Sequence, residues 1–214
     1  MAGFDLPGAD ESALAELDAA LESFLRRYPF TAPRTVAIRA LPEGEWSQVS
    51  WIRDQAGAPV TDEVAVTTAI VLDPAGFTEQ VADAVGQGFV TTGSGQRPAF
   101  STMIRALGGG VDVAGGFVAR QGAQRALISA YLGPARSDSM RAVSAAPVVG
   151  GFREWRGQLS GRSFRHGMFD PGPALAEAFT EVELLGADAG PPARVLHEVL
   201  VAAARESERP RGPR

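Results

Sequence analysis

The sequence predicts an α+β fold: short strands in the first third of the chain, a helix before them and further helices after them. Three observations predict it. Val64, Val66, Thr68, Ile70 and Leu72 form the cleanest period-two run in the chain, which reads as a strand. Leu14, Leu17, Leu21, Phe24 and Leu25 recur at helical spacing and make one apolar stripe. Residues 101–119, STMIRALGGGVDVAGGFVA, form an apolar segment of small residues with helical character.

The elements follow in order. Residues 1–9 read as a flexible lead. Asp10 or Ser12 caps a helix that runs to about residue 27 and is closed by Pro29. Its stripe is expected to face its own core rather than a partner, as most such stripes do. Val36, Ile38 and Ala40 mark a strand over residues 35–41, and Trp46, Val49 and Trp51 are the bulky members of a second over 46–53. The third strand, 64–72, ends at Asp73 and Pro74. Phe77, Val81 and Val85 give a helix, and GQGFVTTGSGQRP after it reads as a flexible connection. Ser101 is the expected cap of a central helix to about residue 112. Gly108, Gly109 and Gly110 each cost about 1 kcal/mol against Ala there, so fraying or termination is expected.

A helix follows over 121–132, then a loop of small residues to 151, and a short helix through Phe152, Trp155 and Leu159. After the turn SGRSFRHG, Asp170 or Gly172 opens a helix with Pro173 in its first turn, where a missing amide is tolerated. Its inward face is Leu175, Phe179, Val182 and Leu185. A last helix, 194–205, buries Val195, Leu196, Val199 and Leu200, and SERPRGPR reads as a disordered tail. The organisation expected is a lead and amphipathic helix (1–29), one domain (30–206) and the tail (207–214).

Composition narrows the function. A 214-residue chain that is 45% hydrophobic and 21% charged is an ordinary globular protein, and its net charge of -5 argues against a general nucleic-acid binder. The lack of Cys excludes disulfides and thiolate zinc sites. With no signal peptide in view and no apolar run of about 18 to 20 residues, the chain is expected in the cytoplasm, or exported by another route, with no membrane partner.

Two segments carry a resemblance. In residues 103–112, MIRALGGGVD, an aliphatic lead-in precedes Gly108 and a closing Val111-Asp112; in residues 159–179, Ser160-Gly161 precedes Ala176-Glu177-Ala178-Phe179. The pair resembles the zincin metallopeptidases of the lethal-factor type, whose active-site helix reads His-Glu-Phe-Gly-His, any residue, Val-Asp. In that family two His one turn apart hold zinc and the Glu activates water. A later helix supplies the third ligand, a Glu, after a Ser-Gly-Tyr-like turn.

Aligned so, the first His falls on Arg105, the Glu on Ala106, the second His on Gly109, the Tyr on Arg162 and the ligating Glu on Pro173. Guanidinium cannot ligate zinc, and neither Ala nor Gly carries a donor. The resemblance therefore implies a zincin-like fold, a small mixed sheet with strand 64–72 at its edge packed on a central helix with further helices. It also implies a degenerate metallopeptidase-like domain in a binding or scaffolding role, with a peptide or protein in its cleft, in an effector, toxin or phage context. Catalytic and metal residues are expected to be none, with zinc expected only if ligands are displaced elsewhere. Glu177 is at best an outer-shell carboxylate. An active zinc peptidase with displaced ligands and an interaction protein of unrelated fold are the alternatives.

Other chemistry is thin. His166, His197, Asp112 and Glu177 are the remaining donors, without the i, i+4 pairing that preorganises zinc. No Ser sits in a nucleophile turn, and the Gly-rich loops lack phosphate-loop endings. Arg105, Arg162 and Arg165 are an anion pocket if they converge, or else solvated or paired with acids such as Glu154 or Asp170.

Overall fold

The computed structural model describes residues 2–139 and 145–208, and the side chains of 134–139 and 145 are outside that description. The chain is α+β. Its main sheet comprises β1 (Thr35–Arg39), β2 (Ser47–Arg53) and β3 (Pro59–Thr67), in the order β1-β3-β2, with β3 parallel to β1 and antiparallel to β2. The sheet is mixed, but the expected edge strand is its centre. Val64, Ala65 and Val66 are buried in succession, so both faces of β3 are covered and an unbroken apolar run, not alternation, is its signature. Past Thr67 the apolar run turns into one helical turn, α2 (Ala69–Leu72), which leaves Leu72 exposed.

The N-terminal residues are not a free lead. Ala2 pairs in parallel with Ala37: its amide donates to Val36 O and its carbonyl accepts from Ile38 N, both at 2.9 Å. Phe4, Leu6 and Ala9 pack against the core. The outer edge of β1 is thus capped, and β2 carries the open edge, with Trp51 and Ile52 exposed and a bulge between Ser50 and Trp51.

Helix α1 (Glu11–Arg27) starts at the Asp10 carboxylate, which accepts from Ala13 N at 2.8 Å. Leu17, Ala20, Leu21 and Phe24 sink into the core shared by the rest of the chain, so packing shows no boundary at residue 29. Asp73 caps α3 (Pro74–Gly86). The connection after it is more ordered than its glycines suggest: it contains a short 3-10 turn at Thr92–Gly95, and Val90, Thr91, Gly93 and Ser94 are buried.

Helix α4 (Pro98–Ala114) begins three residues before the expected cap, with Pro98 at its first position. Ser101 lies inside the first turn, its hydroxyl donating to Pro98 O at 3.0 Å. The three glycines neither fray nor stop the helix, because each admits a neighbour. A Cβ on Gly108 would lie 2.9 Å from Phe179 Cδ1 and 3.1 Å from Phe179 Cβ; on Gly109, 3.0 Å from Val49 Cγ2; on Gly110, 3.4 Å from Thr61 Oγ1. The helix packs along one side on the sheet and along another on α7 (Pro171–Leu185).

The remaining helices enclose α4. Helix α5 (Val118–Ser139) is interrupted by non-helical backbone at Gly133. Helices α5 and α6 (Ala145–Arg156) take up both ends of what reads as a loop, and 140–144 between them lies outside the described residues. The turn before α7 contains a small hairpin of β4 (Phe164–Arg165) and β5 (Met168–Phe169), with His166 and Gly167 at positive φ. Helix α8 (Pro191–Glu208) buries Leu196 and Leu200, half-buries Val195 and Val199, and takes in Ser207 and Glu208 from the expected tail. Residues 209–214 lie outside the described residues. No helix among the described residues is long and apolar enough to cross a membrane.

Steric fit at Gly108 reverses the usual effect of Gly to Ala in a helix. Gly108→Ala is expected to destabilise by about 1 to 3 kcal/mol, since Phe179 must move. Gly122→Ala in α5, where a Cβ meets nothing within 4 Å, is expected to stabilise by up to about 1 kcal/mol. Urea denaturation of the two variants checks both signs.

Candidate binding site between α4 and α7

Between Ser101 and Val113, α4 is buried except at Arg105 and Gly109, one turn apart on the same face. That face looks onto β2, α7 and the turn before α7. Arg105 Nε donates to Glu177 Oε1 at 2.7 Å and its Nη1 to Ser47 Oγ at 2.8 Å. Ser160 Oγ donates to Glu177 Oε2 at 3.0 Å. Glu177 is almost fully buried, so its desolvated charge is met by one guanidinium and one hydroxyl. These contacts bridge 58 and 72 residues of sequence.

The Ser160-Gly161 turn is held against the connection after α3. Gly161 N donates to Gly88 O at 2.8 Å and Arg162 N to Phe89 O at 2.9 Å. A Cβ at Gly161 would lie 3.2 Å from Phe89 Cα, so only Gly lets the two backbones approach this closely. Arg162 then lies over the rings of Trp46 (4.6 Å to the centroid) and Phe89 (5.0 Å). Its Nε is buried without a partner among the described residues. Burial, then the nearby Arg105 charge, bring the Arg162 guanidinium down to about 10.

Of the three arginines proposed for an anion pocket, Arg105 and Arg162 come together. Arg165 does not: it is 74% exposed and pairs with Asp170 at 3.2 Å. Ala106 is buried in α4, and Pro173 lies half-buried in the first turn of α7, one turn before Glu177. The remaining donors are engaged separately. Asp112 Oδ2 accepts from Arg120 Nε at 2.6 Å, and Arg120 Cζ would lie 3.2 Å from a Cβ at Gly172, tying the end of α4 to the start of α7. His166 is exposed in its hairpin. His197 stacks on Phe179 and sits 3.4 Å from Glu183. Among the described residues no three His, Asp or Glu side chains group as metal ligands. The residues at Arg105, Ala106, Gly109 and Pro173 do not fit a zinc ion, since the one polar group among them is a cation already donating to Glu177.

Sequence reasoning missed Ser47, Trp46 and Phe89 as parts of this site, because each comes from a distant segment. It also missed a buried cluster on the far side of Phe179. There Glu183 accepts from Arg27 Nη1 at 2.5 Å and from the Tyr28 hydroxyl at 2.7 Å. Burial pushes the Glu183 carboxyl up, but His197, Tyr28 and Arg27 outweigh it and hold it below its ordinary value of 4.5. A groove of about 640 Å³ between β3, the end of α4 and the end of α8 is lined by small residues, with Glu208 its one charged member.

Removing the Arg105 cation strands the buried Glu177. Arg105→Leu is expected to cost about 3 to 5 kcal/mol, whereas Arg105→Leu with Glu177→Leu costs less than the sum of the single changes; chemical denaturation of the cycle measures the difference. For Glu183 the folded value lies below the unfolded one, so its stabilisation is full above pH 4.5 and is lost as pH falls through the folded value. The stability gap between the native chain and Glu183→Gln, measured by urea unfolding, should therefore be large near neutrality and shrink as the pH is lowered below 4.5.

No protein-family model, no curated protein and no solved structure matches this chain.

Proposed function

We propose that the chain is a catalytically inert, zincin-like domain that binds a peptide or protein partner, in an effector-, toxin- or phage-related setting suggested by the resemblance alone. The observation that carries the reading is the Arg105 to Glu177 ion pair. It joins the two segments that the resemblance aligns with the metal-binding helix and the third-ligand helix. Arg105 and Gly109, where the two His would fall, are also the half-exposed positions of an otherwise buried stretch of helix.

On this reading the positive charge between the helices belongs to the chain itself. Arg105 holds Glu177 where a divalent cation would hold carboxylates and imidazoles, and Ala106 offers no base to take a proton from water. Hydrolysis of a peptide bond needs an activated nucleophile and a polarised carbonyl; this side-chain set supplies neither. Binding needs less. The open edge of β2 begins at Ser47, beside Arg105, so an extended peptide adding to that edge runs past the site.

The test is metal content and turnover together. Protein purified without added metal should contain far less than one zinc per chain, and unstructured peptide substrates should be cleaved no faster than in buffer, with or without a chelator. Stoichiometric zinc whose removal abolishes cleavage would replace this reading with that of a working peptidase with displaced ligands.

A further inference from the structure

We propose that Arg162 and Arg105, with Trp46 and Phe89 beside them, form a binding site for a carboxylate, filled by the free C-terminal carboxylate of an extended peptide. This names the ligand class for the binding role above and rests on that reading.

The charge balance points to an anion. Two guanidinium groups share the site with one buried carboxylate, Glu177, whose oxygens are already taken by Arg105 and Ser160. Among the buried groups one positive charge has no hydrogen-bonded carboxylate, and it is on Arg162; Glu177, engaged by Arg105 and Ser160, and the exposed Glu45 attract it only through space. Partly buried arginines are normally paired, because desolvated N–H groups without acceptors cost free energy. Arg162 is instead steadied by two rings, which attract the cation without using its N–H donors. Its Nε has no acceptor among the described residues. The residue as a whole is partly buried and not enclosed.

The shape points to a carboxylate. A guanidinium offers parallel N–H donors that match the two oxygens of a planar carboxylate, and a single negative charge cancels the surplus. The hydroxyls that would help surround a tetrahedral dianion, Ser47 and Ser160, are engaged with Arg105 and Glu177. The peptide is favoured as the source because Trp46 and Ser47 lead directly into the open β2 edge, where backbone pairing adds to the carboxylate contact.

The experiment is a titration followed by nuclear magnetic resonance of the arginine Nε–H and tryptophan indole signals. The probes are glutarate, neutral glutaramide, inorganic phosphate, and one pentapeptide with a free or an amidated C-terminus. Saturable shifts at Arg162 and Trp46 are expected with glutarate and not with glutaramide. The free peptide should bind about tenfold or more tightly than glutarate, and amidation should remove most of that gain. Arg162→Gln should weaken binding at least about tenfold, with Arg162→Lys, which keeps the charge but loses the paired donors, falling between.

Tighter binding of phosphate than of glutarate overturns the carboxylate assignment, and so does the absence of saturation with every carboxylate probe. Equal binding of free and amidated peptides overturns the peptide C-terminus as the source. These outcomes are read on the folded native chain, so they do not depend on the variants folding. They are also separate from zinc-dependent cleavage, which would remove the inert-domain reading without altering the titration.

Discussion

The close approach of α4 to α7 is the constraint on which the rest of the molecule depends. It exists because Gly108 has no side chain, so Phe179 fills the space where a Cβ would be. Phe179 in turn meets Phe24 and Tyr28 from α1 and His197 from α8. One missing methyl therefore brings four helices together. On its other side the same helix meets the sheet through Gly109 against Val49 and Gly110 against Thr61, whose hydroxyl donates to Gly110 O at 3.3 Å. About 1 kcal/mol of lost helix propensity per glycine is offset by burial of an aromatic and an aliphatic side chain, each worth about 1.5 to 3 kcal/mol.

Electrostatics then fixes how those packed helices sit. Arg105 to Glu177 links the middle of α4 to α7, and Asp112 to Arg120 links the end of α4, through α5, to the first turn of α7. Burial pushes the Asp112 carboxyl up while Arg120 pulls it down, and the net shift is upward, so the contact is costly to desolvate. Such pairs add little net stability over apolar residues of the same shape. What they penalise is any sliding of the helices that would leave a charge buried and alone.

Much of this was legible in the chain. The stripe of α1, its Asp10 cap, the strands β1 and β2 and the inward Leu175 and Phe179 follow from spacing, because local periodicity reports which face a single element buries. The failures share a cause. Residues 64–72 read as one strand because period two cannot distinguish a strand buried on both faces from a helical turn appended to its end. Gly108 to Gly110 read as a helix breaker because intrinsic propensity ignores what packs against each glycine. Residues 1–9 read as a free lead because a single added strand pair at Ala2 leaves no periodic trace. The candidate site was legible only in part. Arg105 and Arg162 stood out as departures from a motif, whereas Ser47, Trp46 and Phe89 join them only through tertiary contacts.

On the proposed reading a tethered cation stands where a metal would, and that changes what stability depends on. In a domain whose helices are clamped by zinc, part of the folding free energy is metal binding, and it is lost when metal is scarce or ligands are protonated. On the proposed reading Arg105 supplies the positive charge from within the chain, and a guanidinium stays charged through the physiological range. The helices are then held in register without a bound ion, and Gly109, one turn from Arg105, admits Val49 of β2. A surface held in place in advance saves a partner the free energy of ordering it. On that reading the positions that would carry donor atoms and the positions that pack serve one arrangement, in which a guanidinium of the chain, not an exchangeable ion, holds α4 against α7.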